Sequence, residues 1–251
     1  MIRQAVLDAW IPFNTGKLTW TADDGIEKRS PNEGLVLPSY MYEDILGLVT
    51  TGMGNMIEVP AGAWPTQTNP SKSGTITAEG LHAGWTHADG SPATDDEIHV
   101  EFAHIKRCWG QGGWEPRGGF TPNGRAVATL WLPEPAAMRL ISSKLQAFAA
   151  DLATQLHGWA DYPADGQLAL LSHAWACGDS LSAWPKFRGF LNASPTDWRG
   201  AAGDGYIYGP SHSVIAGITP RNDANVRLML NAATVDAQGL DPDVLYFPSS
   251  P

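Results

Sequence analysis

EGLVLPSYMYEDILGLVTTGMGN, residues 33–55, holds an acid, a second acid, a threonine and a Gly-x-Gly in one short span. Glu33-Gly34 opens it, Tyr42-Glu43-Asp44 follows, and Thr50-Thr51-Gly52-Met53-Gly54-Asn55 closes it. The glycines and the β-branched run Val49-Thr50-Thr51 predict a tight β-hairpin rather than a helix. Such a hairpin would hold Asp44 and Thr50 side by side while Glu33 approaches from the preceding segment. Two carboxyl groups facing each other across a cleft suit glycosidic bond cleavage. One protonates the leaving oxygen, and the other activates water or attacks the sugar.

Upstream of this stretch, Ile2, Val6, Leu7 and Trp10 read as one or two helical turns ended by Pro12 and Asn14-Thr15-Gly16. The charged run from Thr19 to Pro31 reads as an exposed connection. Downstream, Pro60 to Gly80 reads as a loop with Trp64-Pro65 as an aromatic plug, and 81–93 as turns. Thr94 is placed as an N-cap with Glu97 at the capping-box position. Ile98, Phe102 and Ile105 carry that helix to about Cys108. The glycine-rich stretch 109–129 reads as a surface excursion or a lid.

From Glu134 the pattern becomes helical. Ala137, Leu140, Ile141, Leu145, Phe148, Leu152 and Leu156 form one stripe, broken by Asp161-Tyr162-Pro163. Residues 164–177, ADGQLALLSHAWAC, are apolar nearly all round, so that helix should be a buried centre ended by Gly178 at C′. A short helix over Leu181 to Asn192, interrupted or opened at Pro185, follows, then a glycine-rich loop over 199–218. A last helix runs from Asn222 to about Ala233, with Thr219 as N-cap and Pro220 at N1. The whole is an α+β chain. We expect a single domain with a hairpin-bearing N-terminal lobe over 1–93, a mainly helical lobe over 94–251, and a cleft between them.

The bulk composition bounds the function. A chain of 251 residues with 43% hydrophobic and 17% charged residues can bury a real core. A formal charge of −10 argues against nucleic acid, which needs clustered Lys and Arg. No run of 18 apolar residues predicts a membrane span. The start MIRQAVLDAWIPFNTG lacks the apolar core and cleavage site of a secretory signal, so synthesis in the cytoplasm is expected. Cys108 and Cys177 lack metal spacing and are too few for a disulfide scaffold, and they read as buried thiols. The pairs His82/His87 and His99/His104 are each five apart, whereas a helical metal pair needs three or four, so no metal and no cofactor are expected.

The order Glu33-Gly34, Tyr42-x-Asp44, Gly47, Thr50-x-Gly52-x-Gly54 resembles the front of the phage-type (T4-like) lysozymes. The gap from Glu33 to Asp44 is two residues longer than is usual there, and Asn55 stands where a histidine is common. Pro31-Asn32 stands directly before Glu33, where the family usually has the end of a helix. Residues 167–178 are similar to that family's central core helix, and 217–225 to its late helix, whose first arginine can pair with the catalytic glutamate. The resemblance covers roughly a quarter of the chain.

It implies a muramidase that cleaves the β-1,4 bond between N-acetylmuramic acid and N-acetylglucosamine, with inversion. Glu33 would be the general acid, Asp44 the ionised partner and Thr50 the holder of a water. Arg221 and Asn55 would serve substrate binding or positioning. Apart from the resemblance, the loop tryptophans Trp64, Trp85, Trp109 and Trp114 are the candidates to line a sugar-binding cleft, since an aromatic ring can cover the apolar face of a pyranose. The partner implied is bacterial peptidoglycan, reached with the help of a holin, a phage tail or a secretion apparatus. Each residue also has a plainer reading: Glu33 as a turn acid, Asp44 as a turn cap, Thr50 as a strand residue, Arg221 as a helix-start cation. Glu43 and Glu27 are the reserve acids. The rival functions are a lysozyme-like protein that binds peptidoglycan without cleaving it, and a lytic transglycosylase or chitinase.

Overall fold

The computed structural model describes residues 1–14, 20–21, 27–28, 40–44, 46–65, 69, 71–107, 128–214 and 218–251. Glu33 and most of the 109–129 stretch lie outside the described residues. The chain is α+β, with short strands toward its N-terminal side, the first being the antiparallel pair β1 (Trp20–Thr21) and β2 (Glu27–Lys28), and longer helices toward its C-terminus. Its contacts group into two compact units, one of residues 36–144 and one of residues 1–35 with 145–251.

The 36–144 unit begins with a three-stranded antiparallel sheet, β3 (Tyr42–Glu43), β4 (Val49–Thr51) and β5 (Asn55–Met56). Tyr42 pairs with Thr50, Glu43 with Val49, and Thr51 with Asn55. The expected hairpin is therefore real in its described part, with one strand more than a hairpin has. Gly52 and Gly54 sit at φ +57° and +85° in the β4–β5 turn, a backbone region that side chains with a Cβ rarely adopt.

The segment read as a loop over 60–80 instead ends in paired structure. β6 (Glu58–Pro60) pairs with β7 (Gly74–Ile76), and α2 (Ala78–Leu81) follows with Thr77 as its cap. The strands are only three residues each, too short for a period-two pattern to register. α3 (Asp95–Arg107) has the expected capping box: Glu97 N–H donates to Thr94 Oγ1 at 3.3 Å, and Thr94 N–H donates to Glu97 Oε2 at 2.8 Å. Ile98, Phe102 and Ile105 of α3 join Met41, Val49, Ile57, Trp85 and Leu130 in one buried cluster. The ladder thereby rests on a helix, which a sheet this small requires.

In the other unit, α1 (Gln4–Asn14) is longer than the expected turn or two and contains Pro12. α4 (Glu134–Gln155), which belongs to this unit only from Leu145 on, follows the predicted stripe. α5 (Ala164–Cys177) has the predicted bounds, and every residue from Ala164 to Ala174 is buried. It packs against α1 and α8 (Thr219–Gln238). Gly166 lets Trp198 lie against the helix, since a Cβ there would meet the indole ring at 2.5 Å.

Two expectations fail here. The glycine-rich 199–218 stretch contains α7 (Trp198–Asp204), capped by Asp197, whose side chain accepts from Gly200 N–H. Burial of Trp198, Ala201 and Ala202 outweighs the low helix propensity of its glycines. The last helix begins at Thr219 with Ile218 as cap, so Thr219 is not the capping residue, and it runs on to Gln238. The intervening helix expected over Leu181 to Asn192 is interrupted: a 3-10 turn covers Leu181–Ala183, and α6 (Pro185–Leu191) opens at Pro185.

Candidate active site

Asp44 stands at the end of β3, just before the turn into β4. Its Oδ1 accepts from Leu46 N–H at 2.8 Å and Leu48 N–H at 3.0 Å, and its own N–H donates to Leu48 carbonyl at 2.9 Å. Asp44 thus caps the turn. Oδ2 makes no hydrogen bond among the described residues. Burial pushes its pKa up, the two backbone donors pull it down, the Glu58 charge raises it and the Lys106 charge lowers it. The net direction is upward.

Tyr42 faces Thr50 across the ladder, and Asp44 lies two residues beyond Tyr42, so Asp44 and Thr50 share one face. Thr50 is 2% exposed, and its hydroxyl donates to Leu48 carbonyl at 3.1 Å. Asn55, at the start of β5, is buried, and its Nδ2 has no partner among the described residues. Gly52 lies close enough that a Cβ on it would sit 3.7 Å from that nitrogen. Trp64 is 62% exposed, past the end of β6. Trp85, also a cleft candidate, is instead buried in the core of the unit, and Trp109 and Trp114 lie outside the described residues.

Beneath the turn lies a charged group of which pattern reading named only the reserve acid Glu43. Lys106 Nζ of α3 pairs with Glu58 Oε1 at 3.0 Å and lies 3.8 Å from Glu43 Oε1. It donates to Gly47 carbonyl at 2.6 Å and Ser71 carbonyl at 3.0 Å. Glu58 Oε2 accepts from Val49 N–H at 2.7 Å, and Oε1 accepts from the Ser71 hydroxyl at 2.9 Å. Both glutamates are fully buried, and the lysine side chain is only 7% exposed. The network fixes the Asp44–Leu48 turn on α3 and places two carboxylates near it with one cation between them. Such a group holds geometry and shapes the field at Asp44.

Its sequence signal is faint because the polarity is inverted. Glu58 points inward while its neighbour Val59 is exposed. Glu101 is similar: it occupies the apolar stripe of α3, is buried, and accepts from Thr129 N–H at 2.7 Å and Thr129 hydroxyl at 2.8 Å. A carboxylate in a core stripe was legible as an oddity, but its partners across the unit were not.

Arg221 lies in the first turn of α8 in the other unit. Its Nη1 donates to Ser172 Oγ at 3.1 Å and its Nη2 to Asn14 Oδ1 at 2.9 Å. Both partners are neutral, and no carboxylate pairs with the guanidinium among the described residues. Burial brings its pKa down to about 10. Nearby on α5, Cys177 Sγ lies 3.3 Å from His173 Nδ1. This is not an activated thiolate pair. Cys177, expected as a buried thiol, is an exposed residue at the end of α5. Desolvation of its sulfur raises the thiol to about 12 and burial brings the imidazole down to about 4, so both groups are neutral at pH 7.

Asp44, Thr50 and Asn55 therefore belong to one small sheet, Trp64 lies in the same unit, and Arg221 belongs to a separate neutral-lined cluster. Among the described residues no group of His, Cys, Asp and Glu is arranged to hold a metal ion. No described helix is long and apolar enough to cross a membrane. No protein-family model, characterised protein or solved structure matches this chain.

Proposed function

We propose that the chain is a peptidoglycan hydrolase of lysozyme-like fold, a muramidase acting on the β-1,4 N-acetylmuramic acid–N-acetylglucosamine bond. The observation that carries the reading is the small antiparallel sheet. It holds Asp44 and Thr50 on one face, with one carboxyl oxygen of Asp44 fixed by the turn and the other unbonded. A carboxylate pinned through one oxygen keeps a fixed direction for the second, which is what orienting a water requires. Glu33 is the general acid of this proposal. Arg221, buried with only neutral described partners, is the cation assigned to hold it. Asn55 and Trp64 contact the glycan. The enzyme reaches the wall through a holin, a phage tail or a secretion apparatus.

The test is clearing of purified peptidoglycan by wild type, Glu33→Gln and Asp44→Asn, with mass spectrometry of the products. Each substitution should slow clearing by about 10²–10⁴-fold, the usual worth of a positioned acid or base. The products should carry reducing-end muramic acid. Full activity in either variant removes that residue from the mechanism, and 1,6-anhydro ends would make the protein a transglycosylase.

A second reading, wall binding without cleavage, is favoured by one observation. The Thr50 hydroxyl is buried and already engaged with Leu48, and Asp44 already serves as a turn cap. Under that reading wild type sediments with walls, releases no muropeptide, and loses no affinity on Glu33→Gln.

A further inference from the structure

The unit that contains the long helices has a concavity of its own, formed by residues around 183–186 and 203–212, with a volume of about 520 Å³. That is within the range of small-ligand sites, roughly 300–1,000 Å³. Trp184, Tyr206, Tyr208 and His212 supply ring surface, and Lys186 and Asp204 supply charge. Tyr206 and Tyr208 stack with centroids 4.8 Å apart at 36°, and His212 meets Tyr208 nearly edge-on at 5.0 Å. Tyr208 remains 43% exposed. The backbone that presents His212 is strained, because Ser211 and His212 both sit at φ +57° without being glycine. Strain of that kind gathers at ligand-contacting segments.

The charges select the ligand class. Lys186 Nζ and Asp204 Oδ1 pair at 3.2 Å, so their formal charges cancel while donors and acceptors remain on the rim. An ionic ligand would have to compete with that pair. A purely apolar ligand would desolvate it without return. A neutral ring with one apolar face and many hydroxyls meets both walls. We propose that this pocket binds a neutral pyranose unit of an oligosaccharide, laid against Tyr208 and hydrogen-bonded by Asp204, Lys186 and His212. The site uses none of the residues of the hydrolase reading and stands independently of it.

The experiment is an NMR titration of the full chain, with labelled tyrosine rings, using tri-N-acetylchitotriose and cellotriose as probes. At least one should shift the Tyr206 and Tyr208 signals saturably. Tyr208→Ala should weaken that binding at least tenfold with an unchanged melting temperature, while Tyr208→Phe, which keeps the ring, should stay within about threefold. Asp44→Asn should leave these shifts intact even where it abolishes wall clearing, which separates the two proposals. The inference is overturned if neither saccharide moves the two tyrosines at millimolar concentration. Binding indifferent to Tyr208→Ala overturns it too, as does saturation by tetramethylammonium chloride in place of both sugars.

Discussion

His173 sits between the rings of Trp184 and Phe187, at centroid distances of 4.8 and 5.1 Å. Desolvation alone lowers its pKa from 6.5 to about 4. Between those values the unfolded chain binds a proton that the folded chain does not, so stability rises with pH there and is lost on acidification. The shift corresponds to about 3 kcal/mol. Denaturant midpoints taken from pH 7 to pH 4 should fall, and His173→Phe should flatten that fall. A variant with the wild-type slope would show that the imidazole is charged in the folded state. Asp44 has the opposite sense: its carboxyl is raised, so it must be deprotonated at a cost as pH rises. If it orients the attacking water, the acid limb of kcat/KM should lie above the ordinary aspartate value of about 4, and Asp44→Asn should remove the limb with the activity. A limb at or below that value would separate Asp44 from the proton that matters.

At the scale of elements, the turn between β3 and β4 is held less by its own ladder than by α3. Two- and three-residue strands carry few bonds, and Lys106 reaches both the turn and the segment before β7. Breaking a buried ion pair from one side leaves an uncompensated charge and costs about 3–5 kcal/mol. Lys106→Met should lower the unfolding free energy from a urea titration by about that amount, and adding Glu58→Gln should restore part of it. A single variant as stable as wild type would mean that the pair is solvated. The α3 capping box was legible because it is local: Thr94 and Glu97 are three residues apart. The bounds of α5 were legible for a similar reason, an apolar run stopped by Pro163 and Gly178. α7 was not, because its glycines signal a loop until the helix they allow is seen packed around Trp198.

For the whole molecule the decisive quantity is the charge of −10. Bacterial walls are mostly anionic, so the approach of this chain is opposed at long range. Raising ionic strength from about 0.01 M to about 0.15 M shortens the screening length from about 30 Å to about 8 Å. Wall clearing or wall binding should therefore strengthen over that range, where a basic wall enzyme would weaken. A decline with salt would reveal a local basic surface strong enough to override the net charge.

The antiparallel ladder that carries Asp44, Thr50 and Asn55 was legible in the sequence, since that information lies within a dozen residues. So were the α+β class and the buried central helix, because apolar periodicity reports which face leaves water. The companions of those residues were settled only by folding. Glu58 under Val49, Lys106 between two glutamates, Glu101 on Thr129 and Arg221 on Ser172 and Asn14 are partners far apart in sequence. A buried charge is tolerated only where distant groups converge to satisfy it, and no local pattern encodes that convergence.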